Sequence, residues 1–384
     1  IELKGLAARP AAPSEATVAS DLRIDGTLGL ANGRLADGAL SVAISDLVFS
    51  EALGNALPEG LAGLYRELSP RGPFDLDLPD LKITVPAEDE KVVEFDGTVN
   101  LKTCELRFSG AGGEICGRLH ATGSFSTKHG LRDGQVRLAA ERFAVRGKAA
   151  TDLNLEATYD PEGRTWTAEN FLADFYDGKV LGGLEVRPTG PGAMAYVLRV
   201  ALNRVNLQQF LATGKDPAAE RNYTSGLMNA SLNLEGRAGT ESSRVGTCQV
   251  RINDMQVGKV SSLANLVSVL SLGRTTEYTF ERMLIDAYIR RDRLLIRHLD
   301  LSGQNAAFTG AGSMNLTTDE VDLMLTGRGQ RPATKEPSIL QSLTEGLGGG
   351  VVRIEVTGKA ADPHIETKAL PLIEDSLKIL GTPE

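Results

Sequence analysis

Leu227-Met228-Asn229-Ala230-Ser231-Leu232-Asn233-Leu234-Glu235 alternates apolar and polar residues from Met228 onward. Met228, Ala230, Leu232 and Leu234 fall on one side. Asn229, Ser231, Asn233 and Glu235 fall on the other. Period two with one wet face is the pattern of a half-buried antiparallel strand. The same pattern recurs along the chain. Leu153, Leu155 and Ala157 oppose Asp152, Asn154 and Glu156. Val250 and Ile252 oppose Gln249, Arg251 and Asn253. Val352, Ile354 and Val356 oppose Arg353, Glu355 and Thr357. Such strands recur roughly every 10 to 15 residues, which predicts an extended meander.

The 384 residues include 42 Gly and only 5% aromatics, with one Trp. No strict three-residue period appears, so collagen is excluded. At 41% hydrophobic residues the chain can bury a sizeable core. Asp25-Gly26, Asp96-Gly97, Asp133-Gly134 and Asp177-Gly178 read as hairpin turns. The glycine excess is thereby assigned to turns and strand ends.

Helices are few. Leu57, Leu61, Leu64 and Leu68 mark one face of a helix over about 57–69, with Pro58 in its first turn. A short helix is expected over 207–212, capped by Asn206 and ended by Gly214. A third spans about 259–272, and a fourth carries Leu370, Ile373, Leu377 and Leu380. Each is read as packing on a sheet. The last two could instead lie on a membrane surface, but neither has a strongly basic polar face. Gln330 to Gly350 reads as a loop. The organisation expected is a β-rich segment over 1–165, a second β-region over 166–330, and a terminal loop, strands and helix over 331–384.

The net charge of -9 with dispersed basic residues argues against a nucleic-acid binder. Arg290, Arg291 and Arg293 around Asp292 read as a solvated turn between strands. Cys104, Cys116 and Cys248 offer no metal spacing. Cys104 and Cys116 flank a Gly-rich hairpin and are either a cross-strand disulfide or two thiols. No phosphate loop, metalloprotease, nucleophile-elbow or EF-hand motif occurs. Gly346 to Gly350 precedes a strand, where a dinucleotide loop would precede a helix. No catalytic residue, metal site or cofactor is expected. Three glycosylation triplets, at Asn222, Asn229 and Asn315, are of the frequency chance produces. No run of 18 apolar residues is present, and the chain begins at Ile1. It reads as a fragment or a mature product, compatible with removal of an N-terminal anchor or signal.

Many strands with one apolar face and few helices to cover it must fold over, close or curl. Aliphatic side chains with frequent Gly suit a curled trough that leaves room inside. The fold class expected is therefore mainly β: an elongated, curled antiparallel sheet forming a groove, with a few short packing helices. Leu153, Leu155, Val180, Leu184, Val186, Met228, Ala230, Leu232, Leu234, Val250, Ile252, Leu323, Val352, Ile354 and Val356 are the candidates to line it. An eight-residue strand is roughly 26 Å long, so a lipid tail could run along one strand.

The stretch from Trp166 to Ile365 also resembles a known family, through motifs in fixed order. Phe175-Tyr176-Asp177-Gly178-Lys179-Val180 opens a strand. Val205-Asn206-Leu207 with Phe210-Leu211 gives a short helix after a long strand. Gly226 to Gly236 is a Gly-bounded strand, and Gly246 to Gly258 precedes a Leu-rich helix. Phe308 to Leu316 with Val321-Asp322-Leu323 gives paired strands, and Val352 to Gly358 with Asp362-Pro363 is the terminal one. In this order they resemble the C-terminal region of the AsmA-like proteins of diderm bacteria, relatives of TamB. Leu57 to Leu76 resembles, more loosely, the inter-strand helix of larger relatives.

The resemblance implies a non-enzymatic groove module that binds phospholipid or another acyl-chain ligand. It implies a periplasmic location with an inner-membrane anchor in the full-length protein, envelope protein partners, and a role in outer-membrane biogenesis. The competing readings are an envelope scaffold with a closed core, and a polysaccharide enzyme with clustered carboxylates in a cleft.

Overall fold

The computed structural model describes residues 2–8, 21–57, 65–66, 68–87, 90–108, 111–145, 147–190, 193–212, 225–257, 278–303, 306–329, 351–360 and 362–369. The chain is mainly β. Strands β1 (Glu2–Ala8), β2 (Asp21–Ala31) and β3 (Arg34–Val48) precede helix α1 (Glu51–Ala56). Then follow β4 (Pro73–Ala87), β5 (Glu90–Phe108), β6 (Ala111–Ser126), β7 (Gly130–Val145), β8 (Lys148–Asp160) and β9 (Thr165–Phe175). β10 (Gly178–Gly190) and β11 (Ala193–Asn206) lead into helix α2 (Leu207–Ala212). β12 (Ser225–Arg237), β13 (Thr240–Val257), β14 (Tyr278–Arg290), β15 (Arg293–Gly303), β16 (Ala306–Asn315), β17 (Glu320–Gly329), β18 (Val351–Lys359) and β19 (Asp362–Ala369) complete the sheet.

These 19 strands form one antiparallel sheet. Sequence neighbours pair in register from β1 to β9. They do so again from β13 to β19. The alternation read from the sequence is the alternation of exposure. In β8, Leu153, Leu155 and Ala157 turn inward while Asp152, Asn154 and Glu156 are exposed. Cross-strand ion pairs such as Arg137–Glu156 and Arg199–Glu185 occupy the wet face. Each of these exposed pairs contributes at most about 1 kcal/mol.

Two compact units divide the chain: Ile1–Phe175 with Lys179–Val200 and Glu235–Glu241, and Tyr176–Gly178 with Ala201–Leu234 and Ser242–Glu384. The sequence bounds at 165 and 330 do not coincide with theirs. In the first unit, Cys104, Ile115, Ala140, Ala150, Leu153 and Ala173 from β5 to β9 form one buried cluster. A single sheet supplies it, so the sheet curls over its own apolar side. Register shifts at Asp77/Asp80 in β4 and Leu101/Cys104 in β5 mark bulges, which add bend and twist.

Three of the four Asp-Gly pairs are not turns. Gly26, Gly97 and Gly134 lie inside β2, β5 and β7. A Cβ at Gly26 would stand 2.8 Å from Leu40 Cα on the next strand. At Gly97 it would meet the Leu78 side chain and lie 2.9 Å from the Asp77 carbonyl oxygen. These glycines admit a neighbouring chain at close range inside the sheet, where the hairpin signal had placed a reversal. Only Asp177-Gly178 marks a reversal. There Tyr176 and Asp177, with φ 47° and 60°, are the central residues of a type I′ turn between β9 and β10.

The expected helix over 57–69 falls mostly on residues outside the described set. Leu57 is extended, and a helix precedes it: α1 is capped by Ser50, whose Oγ accepts the Leu53 N–H at 3.3 Å. Tyr65, Arg66 and Leu68 are helical. α2 has the predicted bounds, and Asn206 Oδ1 accepts the Gln209 N–H at 3.2 Å as the cap. The helices expected over 259–272 and near 370–380, and the loop over 330–350, lie outside the described residues.

Candidate functional site

Within the first unit, eight apolar residues stand in direct cross-strand register. Leu22, Ile44, Leu76 and Val99 on β2 to β5 continue into Leu119, Leu138, Leu155 and Phe171 on β6 to β9. Every one of them is half-buried. The row is neither sealed in a core nor spread on a wet surface. Seven strand-to-strand steps of about 4.8 Å make it roughly 34 Å long. The continuous apolar direction thus runs across the strands and not, as read from the sequence, along one of them.

The neighbouring row on one side is closed. Leu47, Phe74, Leu101, Gly117, Ala140 and Leu153 pair in register. Phe74 is 4% exposed, Ala140 2% and Leu153 8%. Phe49 stacks on Phe74 with ring centroids 4.2 Å apart, and Tyr65 packs against Phe49 at 6.0 Å. Tyr65 donates its hydroxyl to the Ser50 carbonyl at 2.8 Å, and burial pushes its phenol above the usual range. The α1 region therefore lids this side. On the other side, Ile24, Val42 and Leu78 pair as a further half-buried row.

The second unit repeats the theme with more burial. Ile252, Met283, Leu301 and Phe308 pair in register on β13 to β16, and all are buried. Phe280 and Phe308 meet edge to face at 6.3 Å. A parallel row runs through Ile296, Gly312, Leu323, Val356 and Ile365, of which only Val356 is buried.

The fifteen candidates distribute between these environments. Leu155 belongs to the half-buried row, and Leu153 to the closed one. Val180 packs against the buried cluster. Leu184, Ala230, Leu232, Leu234, Val250 and Leu323 are half-buried, whereas Val186, Met228, Ile252, Ile354 and Val356 are buried. Val352 pairs with Gly327 on β17. The sequence reading overlooked Leu22, Ile44, Leu76, Val99, Leu119, Leu138 and Phe171. Alternation around Leu22-Arg23-Ile24 and Phe74-Asp75-Leu76-Asp77-Leu78 carries the signal that finds them.

Cys104 and Cys116 are free thiols, the second of the two alternatives that the sequence leaves. Cys104 pairs with Ile115 across the ladder, and a bulge at Leu101/Cys104 shifts the register, so Cys116 is not its partner. Burial pushes the Cys104 and Cys248 thiols up. The Arg290 to Arg293 segment is a turn: Arg290 pairs with Arg293, and Asn315 Nδ2 donates to Asp292 at 3.1 Å. Among the described residues no cluster of three metal-ligating side chains occurs, and no helix is long and apolar enough to cross a membrane. No protein-family model, curated protein or solved structure matches this chain.

Proposed function

We propose that this protein is a non-enzymatic lipid-binding groove module of the bacterial cell envelope, working in the periplasm on phospholipid that moves between inner and outer membranes. The observation that carries the reading is the half-buried row from Leu22 to Phe171. Apolar side chains in direct register over eight strands are costly to leave wet, and they form an aliphatic stripe that a hydrocarbon chain can cover. The stripe is roughly 34 Å long, longer than the ~15 Å depth of one bilayer leaflet. Covering methylenes yields about 0.8 kcal/mol each, so a dozen supply about 10 kcal/mol before ordering costs. The resemblance to AsmA-like proteins supports the envelope setting and the partners named with it.

The closed row at Phe74 and Ala140 favours the scaffold reading for that side of the sheet. It leaves the neighbouring row half-buried, which a sealed scaffold would not need. Native mass spectrometry and lipid extraction of detergent-free protein test the function. Co-purifying phospholipid near one or a few molecules per chain is expected. Protein free of lipid that also takes up none from vesicles overturns the proposal.

A further inference from the structure

Trp166 is the single tryptophan of the chain. It lies near the start of β9, where it pairs directly with Tyr159 of β8. The two rings are 5.3 Å apart and tilted by 49°. The edge of the indole lies over Gly134, where a Cβ would stand 2.9 Å from Trp166 Cη2. Gly134 pairs directly with Gly123. Phe95 covers Gly123 in the same way, with its Cζ 3.1 Å from the place of a Cβ.

Directly opposed residues project to the same face of a sheet. Trp166 and Phe95 therefore share a face. Phe95, Gly97 and Val99 alternate along an unshifted stretch of the β5–β6 ladder. That makes it the face of the half-buried apolar row, to which Val99 belongs. The Trp166 indole is thus set on the hydrocarbon side, flanking the stripe.

Its Nε1 is buried, and it has no hydrogen-bond partner among the described residues. An indole N–H can only donate, and a buried one normally finds an acceptor. The Tyr159 ring beside it, although its hydroxyl is an acceptor by type, does not take this donor. A lone donor on an apolar face calls for an occupant that is mostly hydrocarbon and carries an oxygen acceptor. We infer that Trp166 anchors the bound lipid by turning its covered indole N–H out to an acyl oxygen, either the ester carbonyl of a glycerolipid or the carboxylate of a fatty acid. The inference rests on the lipid-binding reading and adds a polar contact that fixes where along the groove the acyl oxygen sits.

The test uses Trp166→Phe, which keeps an aromatic ring over Gly134 and removes the N–H. Wild type and variant are loaded from vesicles of dioleoyl phosphatidylcholine, from its ether-linked analogue, and from oleate. Bound lipid is counted by native mass spectrometry, and far-ultraviolet circular dichroism checks the fold. Wild type is expected to hold the ester lipid about threefold to tenfold better than the ether lipid, the worth of one hydrogen bond. The variant should hold both at the level of the ether lipid. A preference confined to oleate, and lost in the variant, assigns the carboxylate as acceptor. A second readout needs no variant: ester lipid with brominated chains should quench and shift the emission of Trp166 in wild type. Equal binding of ester lipid, ether lipid and oleate by wild type and variant alike overturns the inference and leaves the groove reading standing. Unchanged Trp166 emission in lipid-loaded protein does the same. Uptake of none of the three ligands overturns both.

Discussion

Phe171 ends the half-buried row by laying its ring over Gly182 of the next strand. A Cβ at Gly182 would stand 2.6 Å from Phe171 Cζ and would also meet the Arg199 carbonyl oxygen. The ring can rotate away, but the carbonyl belongs to the ladder and cannot. Gly182→Ala is therefore expected to cost about 1–3 kcal/mol. Urea unfolding measures it, and an unchanged midpoint counts against the contact.

Leu138 sits in the middle of the row, between Leu119 and Leu155. Leu138→Glu puts a charge on the stripe at a half-buried place, where the carboxylate can still reach water. The fold should persist by circular dichroism while co-purified lipid falls several-fold. Lipid content equal to wild type would show that the row is not the binding surface.

Phe74 belongs to the closed row and stacks on Phe49. Its truncation removes a filled core position. Phe74→Ala should destabilise by about 3–5 kcal/mol. The contrast with Leu138→Glu is the point: one change should mainly lower stability, the other mainly lower ligand content. Reversed effects would invert the assignment of closed and open rows.

The thiols and one lysine set an alkaline limit. Burial raises Cys104 and Cys248, and the hydrogen bonds to Asp46 and then Asp75 raise Lys102. Each group holds its proton more tightly folded than unfolded. Their stabilising effect is full below the ordinary thiol range near pH 8.5 and is lost as pH rises through the folded values. The unfolding midpoint should fall between about pH 8 and 11. Dithionitrobenzoate should count three thiols in denaturant, with Cys104 silent in the folded protein. A count of one would restore the disulfide.

Asn206 caps α2 through its Oδ1 and donates from Nδ2 to Asp177 at 3.2 Å. Asn206→Ala should cost about 1 kcal/mol and speed hydrogen exchange across 207–212. Exchange unchanged there would mean that the Tyr176–Phe210 contact at 5.9 Å holds the helix alone.

Strand content, one-sided burial and α2 with its cap were legible in the sequence because each rests on local periodicity or a single side-chain bond. The row was not, since register across strands depends on bulges and turn lengths that no alternation encodes. Gly26 and Gly97 misled for the same reason. Asp-Gly is read as a reversal from its own backbone freedom, yet at these places a neighbouring strand's backbone or leucine claims the space of the missing Cβ. Cys104 and Cys116 looked bridgeable by hairpin symmetry, and one bulge set them off register.

The neighbour-to-neighbour pairing from β2 to β9 has a consequence for how such a chain grows. A tandem copy of one hairpin would insert two rungs into the ladder and lengthen the apolar stripe by about 10 Å. No existing pair would have to change its register. Reach along the stripe is therefore set by strand count, and duplication of a stretch of some thirty residues is enough to alter it.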